Sequence, residues 1–369
     1  MKNHLVRKFI PQVEPYITDA ERKKVDEYMR SGGWLTEHEK TREFERNIAE
    51  FVGSKYAVVV TSGTVALYLA LLACGVKSGQ SVVVPDYTMI ATPNSVKWAG
   101  ADVILTDVQR HTLCLDLSQV KLKPNTRALM YVSMNGRADK LDEVVEFCHA
   151  KGLTLIEDAA QSLASKWRGK YLGTFGDAGV YSFTPHKIIT TGQGGAVVTN
   201  DKEIYEKVSS LKDFSRVTPG VDTHTGMGFN FKFTDLQAVI GIEQLRKINF
   251  RVKSRRDVYR WYREELEDVS SVEFLETDLK EAVPWFADIL LSVPREDVAA
   301  SLKEYGIGSR PFYPPIHTQI PYAQPDSGFS VTTQVCPRGL WLPSSIGLSH
   351  GQLVNISRSI KRVIRKLDC

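Results

Sequence analysis

The 369-residue sequence is 43% hydrophobic and 24% charged, a balance that excludes intrinsic disorder and provides chain enough for two domains. Its 47 basic and 43 acidic residues leave a formal net charge of +4 with no single-sign block, which excludes a nucleic-acid footprint and suits an anionic small substrate. No apolar run follows the charges of Met1-Lys-Asn-His-Leu-Val-Arg-Lys8, no membrane-length apolar stretch occurs, and Cys74, Cys114, Cys148, Cys336 and Cys369 lack disulfide or metal-ligand spacing, so the expectation is a cytoplasmic, membrane-free protein with reduced thiols and no metal.

In chain order, Thr18 followed by Glu21 has the form of a capping box and predicts a helix through Met29. Apolar positions at helical spacing predict a second helix from Thr41 to Phe51. Short apolar runs then predict strands at 57–61, 81–84, 102–105, 128–132, 153–156, 178–181 and 196–199, most of them separated by helix-length segments. Near-continuous apolar strands alternating with helices argue for a mostly parallel sheet covered on both faces. Charged helical patterns run roughly from Asp235 to Leu266, followed by an apolar strand at 287–293, a helix after Pro294 and an amphipathic helix ending at Leu367. The predicted architecture is α/β, with a large domain over 1–245 that carries an N-terminal helical arm, and a smaller α+β domain over 246–369.

Three stretches of the large domain converge on an anionic aromatic cofactor. Thr61-Ser-Gly-Thr-Val-Ala-Leu67 turns a strand into a helix through small hydroxylated residues, and so offers free backbone amides at a helix N-terminus to a phosphate. Alone, it is more often an ordinary turn and cap, and it lacks the lysine and spacing of a P-loop. Asp158, in Leu155-Ile-Glu-Asp-Ala-Ala-Gln161, follows a buried-looking strand at the carboxyl edge of the sheet, where ligands of open α/β folds collect. Capping of the next turn is the alternative role. Gln161, three residues on, is within reach of the same ligand ring. Lys187 is hemmed by Phe183, Pro185, Ile188 and Ile189, a setting that lowers an amine pKa by desolvation, and it precedes a loop of hydroxyls and glycines, Thr190-Thr-Gly-Gln-Gly-Gly195. A lysine amine that forms a Schiff base with an aldehyde, and a carboxylate that keeps a pyridine nitrogen protonated, are the two groups a pyridoxal phosphate site requires.

These stretches together resemble the fold-type I, pyridoxal phosphate-dependent nucleotide-sugar aminotransferases of the DegT/StrS group. Gly33-Trp-Leu-Thr36 is similar to the family's N-terminal turn, Thr61-Ser-Gly-Thr64 to its phosphate loop, Glu157-Asp-Ala-Ala-Gln161 to its ring-binding strand end and Ser182-Phe-x-x-x-Lys187 to its catalytic segment. Gly228-Phe-Asn-Phe-Lys232 is similar to a loop the family donates across its dimer, and Arg310-Pro-Phe-Tyr-Pro-Pro-Ile-His317 to its substrate-side segment. The resemblance implies that Lys187 is the Schiff-base lysine and proton shuttle, that Asp158 pairs with the pyridine nitrogen, and that Gln161 contacts the ring hydroxyl. It further implies that Gly63, Thr64 and Ser182 hold the phosphate with Asn230 of a neighbouring subunit, in an obligate homodimer with shared sites. Trp34, His186, Tyr313 and His317 are implied on the substrate side. L-Glutamate is the implied amino donor, and a nucleotide-linked 4-keto-6-deoxysugar the acceptor, with GDP-4-keto-6-deoxymannose ahead of UDP- or dTDP-linked ketosugars.

The chain also departs from the family. Met89 stands where an aromatic usually covers the cofactor face, so either its thioether or Tyr87 takes that place. Gln193 replaces a usual glutamate, Ser133-Met-Asn-Gly136 replaces a common His-Leu-Tyr-Gly, and His38 interrupts a glycine-rich continuation. Two other functions bear weighing. The family's sugar 3-dehydratases carry histidine at the lysine position, and His186 is adjacent, although the Ser182-Phe183 spacing puts Lys187 in that slot. An aminotransferase-like binding protein without catalysis is the other, against which stand Lys187, Asp158 and Gln161 together.

Overall fold

The computed structural model describes residues 9–218 and 220–368, so the charged segment before Phe9, on which the expectation about the N-terminus rested, and Cys369 lie outside the described residues. Two helices open the chain, α1 (Asp19–Arg30) and α2 (Glu39–Val52). The main body follows as β1 (Tyr56–Val60), α3 (Gly63–Ala73), β2 (Ser81–Pro85), α4 (Ala91–Trp98), β3 (Asp102–Thr106), β4 (Thr126–Val132), α5 (Leu141–Lys151) and β5 (Thr154–Asp158). A small hairpin of β6 (Lys166–Trp167) and β7 (Lys170–Tyr171) leads to β8 (Ala178–Ser182), β9 (Gly195–Thr199), α6 (Lys202–Lys212) and α7 (Asp235–Arg246). The remainder is α8 (Ile248–Glu265), β10 (Val272–Glu273), β11 (Asp288–Leu291), α9 (Arg295–Glu304), β12 (Arg310–Pro311), α10 (Ser330–Val335), β13 (Gly339–Trp341) and α11 (His350–Leu367).

The principal sheet has seven strands in the order β1-β9-β8-β5-β4-β2-β3. Its pairs from β8 to β3 are parallel, and β9 alone runs against its neighbours, antiparallel to both β1 and β8. Alternate residues serve opposite faces: Val58, Val60, Val82, Val84, Met130 and Ile156 pack under α3, α4 and α6, while Val59 and Val198 meet α2 and α7, and Val83, Leu129 and Leu155 meet α5. Burial on both sides is why these strands read as unbroken apolar runs. The second sheet, β10-β11-β13-β12, is antiparallel throughout and packs against α8, α9 and α11. Tyr87, Trp285, Phe286, Phe312 and Trp341, with Met134, form a largely aromatic core between the two sheets.

Local chemistry sets several boundaries. The Thr18–Glu21 capping box is formed in full at the start of α1. The charged pattern over 235–266 resolves into two helices that break at Lys247, whose amine leaves the helix axis to donate to Thr18 Oγ1 at 2.7 Å and pair with Glu21 at 3.3 Å. No helix among the described residues is long and apolar enough to cross a membrane.

Candidate active site

The strand order brings the chemistry to one edge. Asp158 ends β5 and Ser182 ends β8; Ser62 and Gly63 follow β1, Asp86 and Tyr87 follow β2, and Ser133 follows β4. All five strands end on the same side of the sheet, the carboxyl edge at which open α/β folds bind ligands.

Ser62 caps α3, its hydroxyl accepting the amide of Val65 at 3.2 Å, and helix geometry leaves the amides of Gly63 and Thr64 pointing out of the N-terminus. A Cβ on Gly63 would stand 2.9 Å from Cβ of Ser182 and 3.2 Å from its hydroxyl, so only glycine lets strand β8 bring Ser182 against these amides. The result is a set of neutral donors at the positive end of a helix, shaped for a phosphate.

Asp158 is buried. Thr92 donates to its Oδ2 at 2.7 Å, and the Ala160 amide to its Oδ1 at 3.1 Å. Burial nonetheless raises its pKa, opposed by those two hydrogen bonds and by Lys187. The carboxylate therefore gains from a cation, such as a protonated ring nitrogen, placed against it. Gln161 is also buried, and its carbonyl oxygen accepts the Asn135 amide at 2.9 Å, which leaves the donor half of the carboxamide for a ligand.

Lys187 sits in the β8–β9 connection, in a turn closed by its own amide to the Thr184 carbonyl at 3.0 Å. Its Nζ lies 3.9 Å from the centre of the Trp285 ring. Burial lowers its pKa to about 7; Arg310 acts in the same direction and Asp158 against it. The carbonyls on either side are held: His186 O accepts from Trp285 Nε1 at 2.9 Å and from Arg255 at 3.4 Å, and Ile188 O accepts from Arg251 at 3.4 Å. Burial likewise takes the His186 imidazole down to about 4, so it is neutral at physiological pH. A small cavity joins Gln161, Ser182, Lys187, Arg255 and Trp285. It is Lys187 whose amine couples to Asp158, and not His186.

Phosphate donors, a carboxylate in want of a cation, a free amide donor and a poised amine thus share one edge, and they fit pyridoxal phosphate. Tyr313 packs with its ring 4.8 Å from that of Trp341, its hydroxyl pushed up to about 12 by burial, with the Arg310 guanidinium 5.4 Å from its ring.

Other residues sit differently from the sequence expectation. His317 does not face the cavity: it is buried, Nδ1 is 2.6 Å from Asp86, Nε2 is 3.1 Å from Asp326, and its ring stacks on Phe329 at 4.4 Å. With both nitrogens engaged it holds structure together and has none to offer a sugar. Tyr87 is packed 5.7 Å from the Phe312 ring, whereas Met89 is 45% exposed at the start of α4. Trp34 is 67% exposed and stacks on His38, and Asn230 is exposed on a hairpin where it bridges Asp213; neither lines the cavity of its own chain. Thr92 and Trp285 carried no motif or spacing that marks them, because each meets the site only through tertiary packing. Arg310 was visible only as the first residue of a motif.

The DegT/DnrJ/EryC1/StrS aminotransferase family pattern matches residues 15–361. The chain is 33% identical to the GDP-perosamine synthase of Escherichia coli O157:H7, over 96% of this chain and 98% of that protein. It is 34% identical to the GDP-perosamine synthase of Vibrio cholerae, over 95% and 98% of the two chains. Its fold is similar to the crystal structure of the aminotransferase TlmJ from Streptoalloteichus hindustanus, with a TM-score of 0.93, 28% identity and coverage of 98% and 100%. With that likeness spanning the fold and the site alike, the chain belongs to the DegT/DnrJ/EryC1/StrS aminotransferase family and is a pyridoxal 5'-phosphate-dependent aminotransferase.

Proposed function

We propose that the enzyme is a sugar aminotransferase that moves an amino group from L-glutamate to a nucleotide-linked 4-keto-6-deoxysugar, with GDP-4-keto-6-deoxymannose as acceptor and GDP-perosamine as product. Support for the sugar comes from near full-length likeness to the two GDP-perosamine synthases. Transamination rests on one observation, the Lys187 amine enclosed against Trp285 at the sheet edge where the buried Asp158 carboxylate ends β5.

Bound pyridoxal phosphate supplies an aldehyde that carries the amino group between the two substrates and a ring that takes up electron density when a C–H bond beside the nitrogen is broken. Asp158 keeps a proton on the ring nitrogen. Gly63, Thr64 and Ser182 hold the phosphate, and Gln161 donates to the ring oxygen. Lys187 would hold the cofactor through Nζ and would accept and return a proton at that atom, a task its lowered pKa suits at neutral pH. The open face of Met89 covers the ring, since Tyr87 is committed to the aromatic core. His186 and Tyr313 line the substrate side, with Arg310 as the nearby cation.

The site is completed by a second copy of the chain, which brings Asn230 to the phosphate and Trp34 to the sugar. Both residues are exposed in the single chain, as are Met227 at 90% and Val221 at 50% on the hairpin that carries Asn230. The buried free thiols Cys74, Cys114, Cys148 and Cys336 support action in the cytoplasm.

The deciding experiment incubates holoenzyme with L-glutamate and GDP-, UDP- or dTDP-linked 4-keto-6-deoxysugars and follows the products by mass. Amination chiefly of the GDP sugar is expected. Faster amination of another nucleotide sugar overturns the acceptor, and loss of water without gain of nitrogen overturns transamination.

A further inference from the structure

The turn Ser133-Met-Asn-Gly136 after β4 replaces a segment commonly different in the family, and it makes contacts that neither sheet makes alone. Along the sheet edge it is stitched to the end of β5: the Ser133 amide donates to Asp158 O at 3.1 Å, Ser162 Oγ donates to Ser133 O at 2.7 Å, and the Asn135 amide donates to Gln161 Oε1 at 2.9 Å. Toward the second sheet, the Asn135 side chain grips one residue of the segment leading into β11 from both ends. Its Nδ2 donates to Phe286 O at 2.9 Å and its Oδ1 accepts Phe286 N–H at 2.8 Å. A backbone carbonyl only accepts and a backbone amide only donates, so the orientation of the carboxamide is fixed. Asn135 is 1% exposed and adopts φ +54, a left-handed conformation that asparagine tolerates and branched residues do not. The next residue must be glycine, because a Cβ there would stand 2.3 Å from Val283 O at φ +82.

Phe286 adjoins Trp285, their rings stacked 3.9 Å apart, and Trp285 is the surface on which the Lys187 amine rests. One residue thus ties the Gln161 carboxamide to the segment leading into β11, which carries the support of Lys187. We propose that Asn135 is a positioning residue for the transamination site: its main chain turns the donor half of Gln161 toward the cofactor ring oxygen while its side chain fixes Phe286, and so Trp285, at the right height beneath Lys187. This inference rests on the role given above to Gln161.

Asn135→Gly permits the left-handed φ but removes the side-chain grip that anchors the turn, so the main-chain N–H at 135 loses its fixed place against Gln161 Oε1. In the holoenzyme, the pKa of the visible cofactor band reports the hydrogen bond to the ring oxygen, and an upward shift of about one unit is expected, with kcat down about tenfold and KM for the nucleotide sugar nearly unchanged. Amide exchange at Phe286 is expected to accelerate at least about tenfold. Asn135→Asp retains the turn preference and the acceptor for Phe286 N–H but loses the donor to Phe286 O, and it is expected to shift the band in the same direction. Gln161→Ala separates the two ideas. If it shifts the band while folded Asn135 variants leave the band and Phe286 exchange at wild-type values, the positioning role is wrong. If Gln161→Ala leaves the band unmoved, the role of Gln161 itself fails and the inference falls with it.

Discussion

Replacing Lys187 with methionine isolates what it costs the fold to house an amine. Burial against Trp285 takes that amine from 10.5 to about 7, which means that the folded chain disfavours its charged form relative to the unfolded chain. Between those two values the unfolded chain holds the proton and the folded chain does not, so stability rises with pH across this window and the penalty is complete only below its lower end. At about 1.4 kcal/mol per pH unit, and with half-ionisation at the lower end allowed for, going from pH 7 to pH 9 relieves roughly 2 kcal/mol. Spread over the unfolding entropy of 369 residues, that is a rise of about 3 °C in Tm. The assay is thermal unfolding of the cofactor-free protein at pH 7, 8 and 9, wild type beside Lys187→Met. The variant is expected to be the more stable at pH 7, with the gap closing by about 3 °C toward pH 9. Parallel curves over this range would refute the desolvated amine, and with it the reason given for Lys187 acting as a base at neutral pH.

Asp158→Asn keeps the Thr92 hydrogen bond but cannot hold a proton on the ring nitrogen, so the variant is expected to retain cofactor by absorbance while both half-reactions slow by about 100-fold or more; near-normal turnover would leave Asp158 a structural cap. Mixing Lys187→Ala with Asn230→Asp chains under subunit exchange yields heterodimers with one doubly damaged site and one intact site, and activity should return; verified heterodimers without activity would rule out a shared site. His317→Ala strips the buried Asp86 of its 2.6 Å partner and is expected to cost about 3 kcal/mol of stability with little change in KM for the nucleotide sugar, whereas a large KM effect in a stable variant would return His317 to the substrate side.

The sheet was legible because its inner strands are buried on both faces and so read as apolar runs, and the capping box at Thr18 gave the start of α1 outright. What escaped was short or non-local. β10 and β12 have two residues each, too few for any periodicity, and the break at Lys247 depends on partners in α1 more than two hundred residues away. The site divides in the same way. Gly63, Asp158 and Ser182 lie at or just past strand ends, Lys187 lies in the connection that follows β8, and their positions follow from the sheet. Trp285 and Thr92 reach the site from other elements, and no spacing announces them. His317 misled because a histidine beside prolines and a tyrosine looks available, while its two carboxylate partners are Asp86 and Asp326, of which only the second is near in sequence.

The reversed strand β9 has a consequence for how the enzyme is made. β1 joins the sheet only through β9, with Tyr56 opposite Thr199 and Val60 opposite Gly195, so a strand near the beginning of the chain has no sheet neighbour until almost 140 residues later. Closing so long a loop is entropically slow, and it raises the contact order of this part of the fold. The phosphate cradle after β1 and the lysine between β8 and β9 meet only at that closure. On the ribosome the first two strands of the sheet to emerge in register are β2 and β3, while β1 waits unpaired. Acquisition of the cofactor therefore reports the last joining step of the sheet, and a growing chain halted before β9 would have the aspartate in place and no pocket for the phosphate.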